Sequence, residues 1–306
     1  MQATAPGKLA VIGAGNMGNA IASLFDANGW QVLLIDPSRD ACRKSRERLL
    51  GTAPGGVQRR LAWSHDLHAA HDASLIIEAV PEDPVLKQSV FQKLEACCPP
   101  TTPIATNTSG ISINQLAAGL SHPVRFIGTH FFTPADVIPL VEVVGCDQTS
   151  PATTDRIIGI LRSVGKLPIH VRKDIPGFIA NRLQHALARE AMSLLEQGVA
   201  SAQDIDTVAK WSLGIRLALT GPLEQRDING LDVHHAIAGY LYPSLENRQS
   251  PCKLLSDKVE QGQLGIKSGH GFYPWDTPAQ RQSLHDKEGA LRRLVAYLQD
   301  DLTLPT

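Results

Sequence analysis

The strongest constraint on the fold is a run of three glycines set between an apolar strand and an apolar-faced helix. Lys8 to Ile12 reads as a short strand of the kind buried on both faces of a sheet. Gly13, Gly15 and Gly18 follow in G-x-G-x-x-G order, with Asn16 and Met17 between the last two. The first glycine permits a tight turn and the second lets a pyrophosphate approach the backbone. The third lets helix and strand pack closely. Ala20, Ile21, Leu24 and Phe25 give the helix a buried face, and Asn28-Gly29 stops it. Gln31 to Ile35 is the next strand, ending at Asp36. A carboxylate about 20 residues beyond the glycines accepts from both ribose hydroxyls of NAD and repels the 2′-phosphate of NADP. Arg39 is near enough to tolerate a phosphate, but the acid at position 36 decides for NAD.

Beyond Asp36, strands and helices alternate. Strands are expected near 61–63, 74–80, 104–106, 125–129, 140–144 and 167–171, with helices near 39–50, 85–96 and 114–120. Alternation of this kind predicts a Rossmann-type doubly wound, mostly parallel sheet whose ligands collect at the strands' carboxyl ends. Asn107, Ser109 and His130 all fall at such ends. From Asp174 the character changes. Pro176-Gly177-Phe178 breaks the chain and the remainder reads as helices, one of them with Leu183, Leu187, Met192 and Leu195 on one side. The expected organisation is a nucleotide-binding domain over 1–172 followed by a smaller all-α domain over 173–306. A terminal amphipathic helix carries Leu291, Leu294, Val295 and Leu298 and is expected to cover the core or a partner subunit.

Length and composition narrow the function classes. A chain of 306 residues with a formal net charge of -1 argues against nucleic acid or an anionic membrane as principal partner. There is no charged-then-apolar leader pattern and no apolar run long enough to span a bilayer. Five cysteines without a C-x-x-C pair argue against a disulfide framework or structural zinc, and fit a reducing cytoplasm. His65, His68 and His71 recur every third residue, but no cysteine or carboxylate partners complete a ligand set, so they read as surface histidines and no metal is expected.

Alcohol oxidation beside a nicotinamide needs a base for the hydroxyl proton, and imidazole titrates in the useful range. His130 stands at a strand end, and Glu142 is a nearby acid inside an otherwise apolar strand. A buried acid without a partner is costly, so the two explain each other: the carboxylate sets the tautomer and stabilises the imidazolium.

These motifs resemble the L-3-hydroxyacyl-CoA dehydrogenase family over nearly the whole chain. The matching stretches are Val11 to Gly18, Glu78-Ala79-Val80-Pro81-Glu82, Asn107-Thr108-Ser109, His130-Phe131-Phe132, Leu140-Val141-Glu142-Val143, Pro176 to Arg182 and Lys267 to Tyr273. The resemblance implies His130 as catalytic base and acid, Glu142 as its orienting partner, and Ser109 and Asn181 as hydrogen-bond donors to the substrate oxygen. It implies that Glu82, Lys87 and Lys267 touch the cofactor, with Asn107 also in the cofactor site. It further implies a homodimer paired through the helical domain.

Several positions depart from the family. The long helical hairpin that holds CoA in thioester-using members is largely missing, since the helix after Asp36 meets Pro54-Gly55-Gly56. His-Phe-Phe-Asn-Pro reads His130-Phe131-Phe132-Thr133-Pro134, and Asn-Thr-Ser-Ser reads Asn107-Thr108-Ser109-Gly110. In place of Gly-Tyr-Pro-Met-Gly-Pro stand Leu213-Gly214-Ile215-Arg216 and Gly221 to Asp227. That pattern is similar to relatives acting on free acids, such as gulonate, carnitine and pyridine-carboxylate dehydrogenases. A guanidinium grips a carboxylate bidentately, which makes Arg216, and after it Arg226, the candidate substrate ligands. The expected activity is NAD-dependent interconversion of a secondary alcohol and ketone on a small 3-hydroxy acid or related carboxylate. The alternatives are an authentic short-chain 3-hydroxyacyl-CoA dehydrogenase, with the basic helix 39–48 serving CoA phosphates, and a non-catalytic NADH-binding protein.

Overall fold

The chain is described by a computed structural model covering residues 6–51 and 59–301. The Pro54-Gly55-Gly56 stretch therefore lies outside the described residues. Eight strands among those residues make one sheet: β1 Lys8–Ile12, β2 Gln31–Ile35, β3 Leu61–Ser64, β4 Leu75–Glu78, β5 Ile104–Thr106, β6 Phe126–Phe131, β7 Leu140–Gly145 and β8 Leu167–Val171. Their order is β3-β2-β1-β4-β5-β6-β7-β8, so the winding direction reverses between β1 and β4. Ligands of open α/β sheets bind in the crevice at such a switch point.

Neighbouring strands run parallel except β6 and β7, which pair antiparallel. The exception has a simple cause. A parallel return needs a crossover of a dozen or more residues, and only residues 132–139 separate these two strands. The antiparallel register sets His130 directly opposite Glu142. Because directly opposed residues project to the same face of a sheet, base and acid are neighbours by construction.

Helices α1 Asn16–Ala27, α2 Arg39–Gly51, α3 Pro84–Cys97, α4 Ile113–Ala117 and α5 Pro151–Ser163 cover the sheet. Side-chain caps fix several of their starts. Asp83 accepts from the N–H groups of Val85 and Leu86 at the head of α3, with Pro84 at the first helical position. Ser150 does the same for α5 through Thr153 N. Side chains alternate across the sheet. Leu9 and Val11 join Ile21, Phe25 and Leu161 in one core layer, while Ala10 and Ile12 join Phe91, Leu94 and Phe126 in the other. Each fully buried Leu, Ile or Phe here contributes about 1.5–3 kcal/mol relative to exposure.

The described chain forms two compact units, Met1–Arg182 with Leu291–Thr306, and Leu183–Ala290. Residues 174–182 pack with the sheet: Phe178 is fully buried, and Asp174 accepts from Ser112 Oγ at 2.6 Å and Asn114 N at 2.9 Å.

Helix α6 Ala180–Glu196 leads into the second unit, which continues through α7 Ala202–Val208 into a π-helical turn, Ala209–Gly214. Helices α8 Ile215–Leu217, α9 Pro222–Asn229, α10 Leu231–Leu241 and α11 Lys253–Glu260 follow, and α12 Pro278–Asp301 is the last among the described residues. Ser201 caps α7 through Asp204 N, and Arg248 is clasped by Glu196 and Glu246 at 2.8 and 2.7 Å.

Along α6, Leu183 and Leu187 are 57% and 48% exposed, Met192 and Leu195 are half-buried, and only Ser193 is buried. Leu294 of α12 is likewise exposed. No helix among the described residues is long and apolar enough to cross a membrane. No group of metal-ligating side chains occurs among them either. His65 and His71 flank a short 3₁₀ turn, Leu67–Ala70, that contains His68, with all three side chains at the surface.

Candidate active site

The glycine turn is built for close approach. Gly13 has φ +107°, and a Cβ there would stand 2.7 Å from Ala79 O, where the ends of β1 and β4 pass each other. A Cβ on Gly18 would run into Gly13 O, whereas one on Gly15 would meet nothing within 4 Å. The second glycine thus faces open space above the first turn of α1, whose start carries no side-chain cap. Helix N–H groups in that setting suit a diphosphate.

Asp36 is pinned beside them. Its Oδ2 accepts from Ala14 N and its Oδ1 from Ser38 N, both at 2.9 Å, which leaves lone pairs on each oxygen for ribose hydroxyls. A cleft of about 310 Å³ opens here, lined by Ala14, Gly15, Asn16, Ser38, Lys44 and Arg48 among others. Asn16 Oδ1 accepts from Arg48 Nη1 at 2.9 Å. These residues fit a dinucleotide.

The strand ends to the other side of the switch point carry the candidate catalytic groups. His130 Nδ1 lies 2.8 Å from Glu142 Oε2, and both residues are buried. An ionised carboxylate can only accept, so Nδ1 is the donor of this bond and Nε2 is the ring nitrogen that Glu142 does not engage. The other oxygen of Glu142 accepts from Ile179 N at 2.9 Å and Ala180 N at 3.0 Å.

These two amides open α6, where the helix dipole favours an anion. Burial pushes the Glu142 carboxyl up, but the bonds from His130, Ala180 and Ile179 outweigh it and hold the group below the ordinary carboxylate range. Two consecutive left-handed residues, Gly177 at φ +76° and Phe178 at φ +49°, turn the chain so that the amides face Glu142. The buried Phe178 ring and that of Phe132 flank the imidazole at 5.9 and 4.4 Å between centroids.

The remaining candidates of the first unit gather nearby. Asn107, at the end of β5, accepts from Phe131 N at 2.9 Å through its side-chain oxygen, tying the β5 loop to the His130 strand. Ser109 is exposed, its N–H donates to Glu82 Oε1 at 2.8 Å, and its carbonyl accepts from Asn181 Nδ2. Thr133 Oγ1 donates to Met17 Sδ at 3.3 Å, which sets the loop after His130 against the glycine turn. Lys87 is fully buried, its ammonium among the oxygens of Glu78, Val80 and Glu82. Lys267, Arg216 and Arg226 belong to the second unit, and all three are exposed. Arg216 Nε donates to Ser212 O at 2.6 Å within its own helical turn.

Sequence reasoning passed over several participants. Glu78 is fully buried at the end of β4 and gives the same signal as Glu142, an acid closing an apolar run. Thr106 and Thr108 carry no signal of their own, and neither does the positive φ of Phe178.

A switch-point crevice with a glycine turn, an acid at the end of the second strand and a buried histidine–glutamate pair suits a nucleotide-dependent dehydrogenase. The comparisons with known proteins agree. Residues 8–175 match the 3-hydroxyacyl-CoA dehydrogenase NAD-binding domain, and residues 177–275 match the C-terminal domain of the same family.

The chain is 35% identical over 299 residues to 5-formyl-3-hydroxy-2-methylpyridine 4-carboxylate 5-dehydrogenase of Mesorhizobium japonicum, covering 94% of this chain and 96% of that one. It is 35% identical over 283 residues to a probable 3-hydroxybutyryl-CoA dehydrogenase of Bacillus subtilis, with 88% and 97% covered. With L-carnitine dehydrogenase of Burkholderia mallei it shares 37% identity over 222 residues, 69% of each chain. The crystal structure of the pyridine-carboxylate enzyme, described as an NAD+ dependent dismutase, superposes with a TM-score of 0.87 at 35% identity, covering 95% of this chain and 96% of that one. The chain belongs to the 3-hydroxyacyl-CoA dehydrogenase family and is an NAD-dependent dehydrogenase acting on a CH–OH group.

Proposed function

We propose that this enzyme interconverts a secondary alcohol and its ketone on a small free carboxylic acid, a 3-hydroxy acid or a related compound. The observation that carries the reading is the His130–Glu142 pair, 2.8 Å apart at the strand end next to the glycine turn. In the oxidising direction Nε2 of His130 takes the hydroxyl proton, and Glu142 stabilises the imidazolium that results. When bound, NAD supplies the nicotinamide ring that accepts a hydride from the alcohol carbon. Ser109 and Asn181 hydrogen-bond the substrate oxygen and steady the charge that develops there. In the reducing direction the same imidazolium returns the proton.

Two features support a free acid as substrate. The relatives include a pyridine-carboxylate dehydrogenase and a carnitine dehydrogenase. Arg216 is exposed on the second unit, and an exposed guanidinium suits a carboxylate. Gly13, Gly15, Asn16, Met17, Gly18, Asp36, Glu82, Asn107 and Lys267 are assigned to the cofactor, with Arg226 in reserve for the substrate acid.

The second reading, a 3-hydroxybutyryl-CoA dehydrogenase, draws on the Bacillus relative and on Lys44 and Arg48 beside the glycine-turn cleft. Following NADH absorbance with acetoacetate, other small keto acids and acetoacetyl-CoA separates the two. Turnover of the free acids with a KM that rises at least a hundredfold in Arg216→Met supports the first. Turnover of the thioester alone supports the second. Tight NADH binding without turnover on any of them identifies a non-catalytic binding protein.

The second unit is assigned to the substrate and to pairing of two subunits. Its exposed apolar side chains, such as Trp211 at 72% and Leu223 at 81%, support that role. All five cysteines are free, which suits a cytoplasmic location.

A further inference from the structure

Helix α1 carries an asparagine that is only 5% exposed, Asn19, in a helix that also buries Ile21, Ala22 and Phe25. A buried amide is costly unless its hydrogen bonds are made. Here they are. Asn19 Nδ2 donates to Ala14 O and to Gly15 O, each at 2.8 Å, and Oδ1 accepts from Ser45 Oγ at 2.5 Å. Ser45, 1% exposed on α2, accepts in turn from Trp63 Nε1 at 2.9 Å, on the edge strand β3.

The direction of this chain is fixed from both ends. An indole N–H can only donate, so the Ser45 hydroxyl accepts from it and gives its own hydrogen to Asn19 Oδ1. A carbonyl can only accept, so the NH2 of Asn19 must face the glycine turn. In a trans peptide the C=O and the following N–H point in opposite directions. With Ala14 O and Gly15 O both drawn toward Asn19, the N–H groups of Gly15 and Asn16 point away from it. Asn16 is the first residue of α1, so its N–H is one that a helix leaves without an internal partner. Ala14 is held from its other side too, its N–H donating to Asp36 Oδ2 at 2.9 Å. Asn19 and Ser45 line the same cleft of about 310 Å³ as Gly15 and Asn16.

We propose that Asn19 is a positioning residue for the cofactor. It clamps the Ala14–Gly15 and Gly15–Asn16 peptide groups so that their amides face the diphosphate, and Ser45 and Trp63 hold its side chain in that orientation. The proposal rests on the reading of the glycine turn as the diphosphate site, so one arm of its test uses no cofactor.

That arm is amide hydrogen exchange of the ligand-free protein, read at Gly13 and Ala14, whose N–H groups donate to Ile35 O at 2.8 Å and to Asp36 Oδ2 at 2.9 Å. Asn19→Leu fills about the same space and removes every hydrogen bond of the side chain. It should speed exchange at both amides at least fivefold and leave the amides of β6 within twofold of their rates in the natural protein. Unchanged exchange at Gly13 and Ala14 overturns the proposal. A rise of the same size throughout the sheet also overturns it, since Asn19 would then be a packing residue only. Should Asn19→Leu not fold, Ser45→Ala reads the same amides with the clamp present and its support removed: exchange at least twofold faster supports the chain, and unchanged exchange overturns it.

The second arm follows NADH binding by fluorescence titration. Asn19→Leu should weaken it at least tenfold and Ser45→Ala at least threefold. Trp63→Phe should add less than twofold to Ser45→Ala, because both break one chain. Faster exchange with unchanged NADH affinity overturns the positioning role, and fully additive losses from Ser45→Ala and Trp63→Phe overturn the chain. Gly15→Val separates this proposal from the reading beneath it. A Cβ there meets nothing within 4 Å, so the variant folds and sets a side chain where the diphosphate approaches. If it binds NADH as tightly as the natural protein, the glycine turn is not the cofactor site, while the exchange arm still decides whether Asn19 clamps the turn.

Discussion

At the residue scale the chemistry comes down to one imidazole whose two nitrogens have been given different tasks. Glu142 binds Nδ1 and is itself held by the α6 amides, and the proposed mechanism gives Nε2 the task of the base. His130→Ala should therefore lower kcat by about 10²–10⁴-fold, the usual worth of a general base, with NADH affinity unchanged by fluorescence titration. Asp36→Ala should do the reverse. It removes a charged acceptor worth about 1.5–3 kcal/mol per hydrogen bond, so NADH affinity should fall at least tenfold with kcat at saturation largely kept.

Glu142 also makes a prediction about pH. Its folded-state pKa lies below the unfolded value of 4.5, so its contribution to stability is present above that value. The contribution is lost as pH falls through the folded value. Urea melts of the natural enzyme and Glu142→Gln should therefore converge below about pH 4.5 and differ most near neutrality. A gap that stays constant from pH 7 to pH 3 would mean the carboxylate is not held by its neighbours. The acid in an apolar run is what made Glu142 legible in the sequence, because burying a carboxylate demands a partner. Glu78 carried the same signal, but its partner Lys87 sits on α3, and only the folded chain brings the two together.

At the scale of elements, the β6–β7 reversal and the Gly177–Phe178 turn do most of the positioning. The reversal was partly legible: His130 and Glu142 lay in consecutive strands, and the short link between them forbids a parallel crossover. The turn was legible only as a break at Pro176-Gly177, since nothing in a phenylalanine announces a left-handed backbone. Phe178 holds that conformation because its ring is fully buried against the imidazole.

Gly177 tests the turn. A Cβ there would meet Arg182 Cγ and Asn181 Cβ only at 3.5 Å, an ordinary contact, so the cost of Gly177→Ala is conformational. An alanine at φ +76° costs about 1–2 kcal/mol, or a few degrees in Tm for a domain of this size. The displaced α6 amides should also loosen Glu142, so kcat should fall while NADH affinity holds. A variant with lower Tm and unchanged kcat would leave the turn a purely structural feature.

At the scale of the whole molecule, the two units are buried very differently. Strands β1, β2 and β4 are almost wholly enclosed, whereas α7, α9, α10 and α11 bury none of their residues. Periodicity put Leu183, Leu187, Met192 and Leu195 on one side of α6 without saying which surface would cover it. Leu223 at 81%, Trp211 at 72%, Ile228 at 67%, Leu231 at 62% and Leu219 at 60% exposure are too many large apolar groups to leave in water. The proposed pairing with a second copy of the chain would cover such side chains on both subunits at once, as two-fold symmetry requires. Sedimentation equilibrium at micromolar concentration should therefore give about twice the 33.0 kDa of one chain. Leu223→Asp/Ile228→Asp should shift it toward the single-chain mass and make Tm lower and independent of protein concentration. In the natural enzyme, Tm should rise with concentration, because dimer formation and folding of the helical unit are then one equilibrium. A single-chain mass with a concentration-independent Tm would assign these helices some other covering, and the pairing would have to be abandoned.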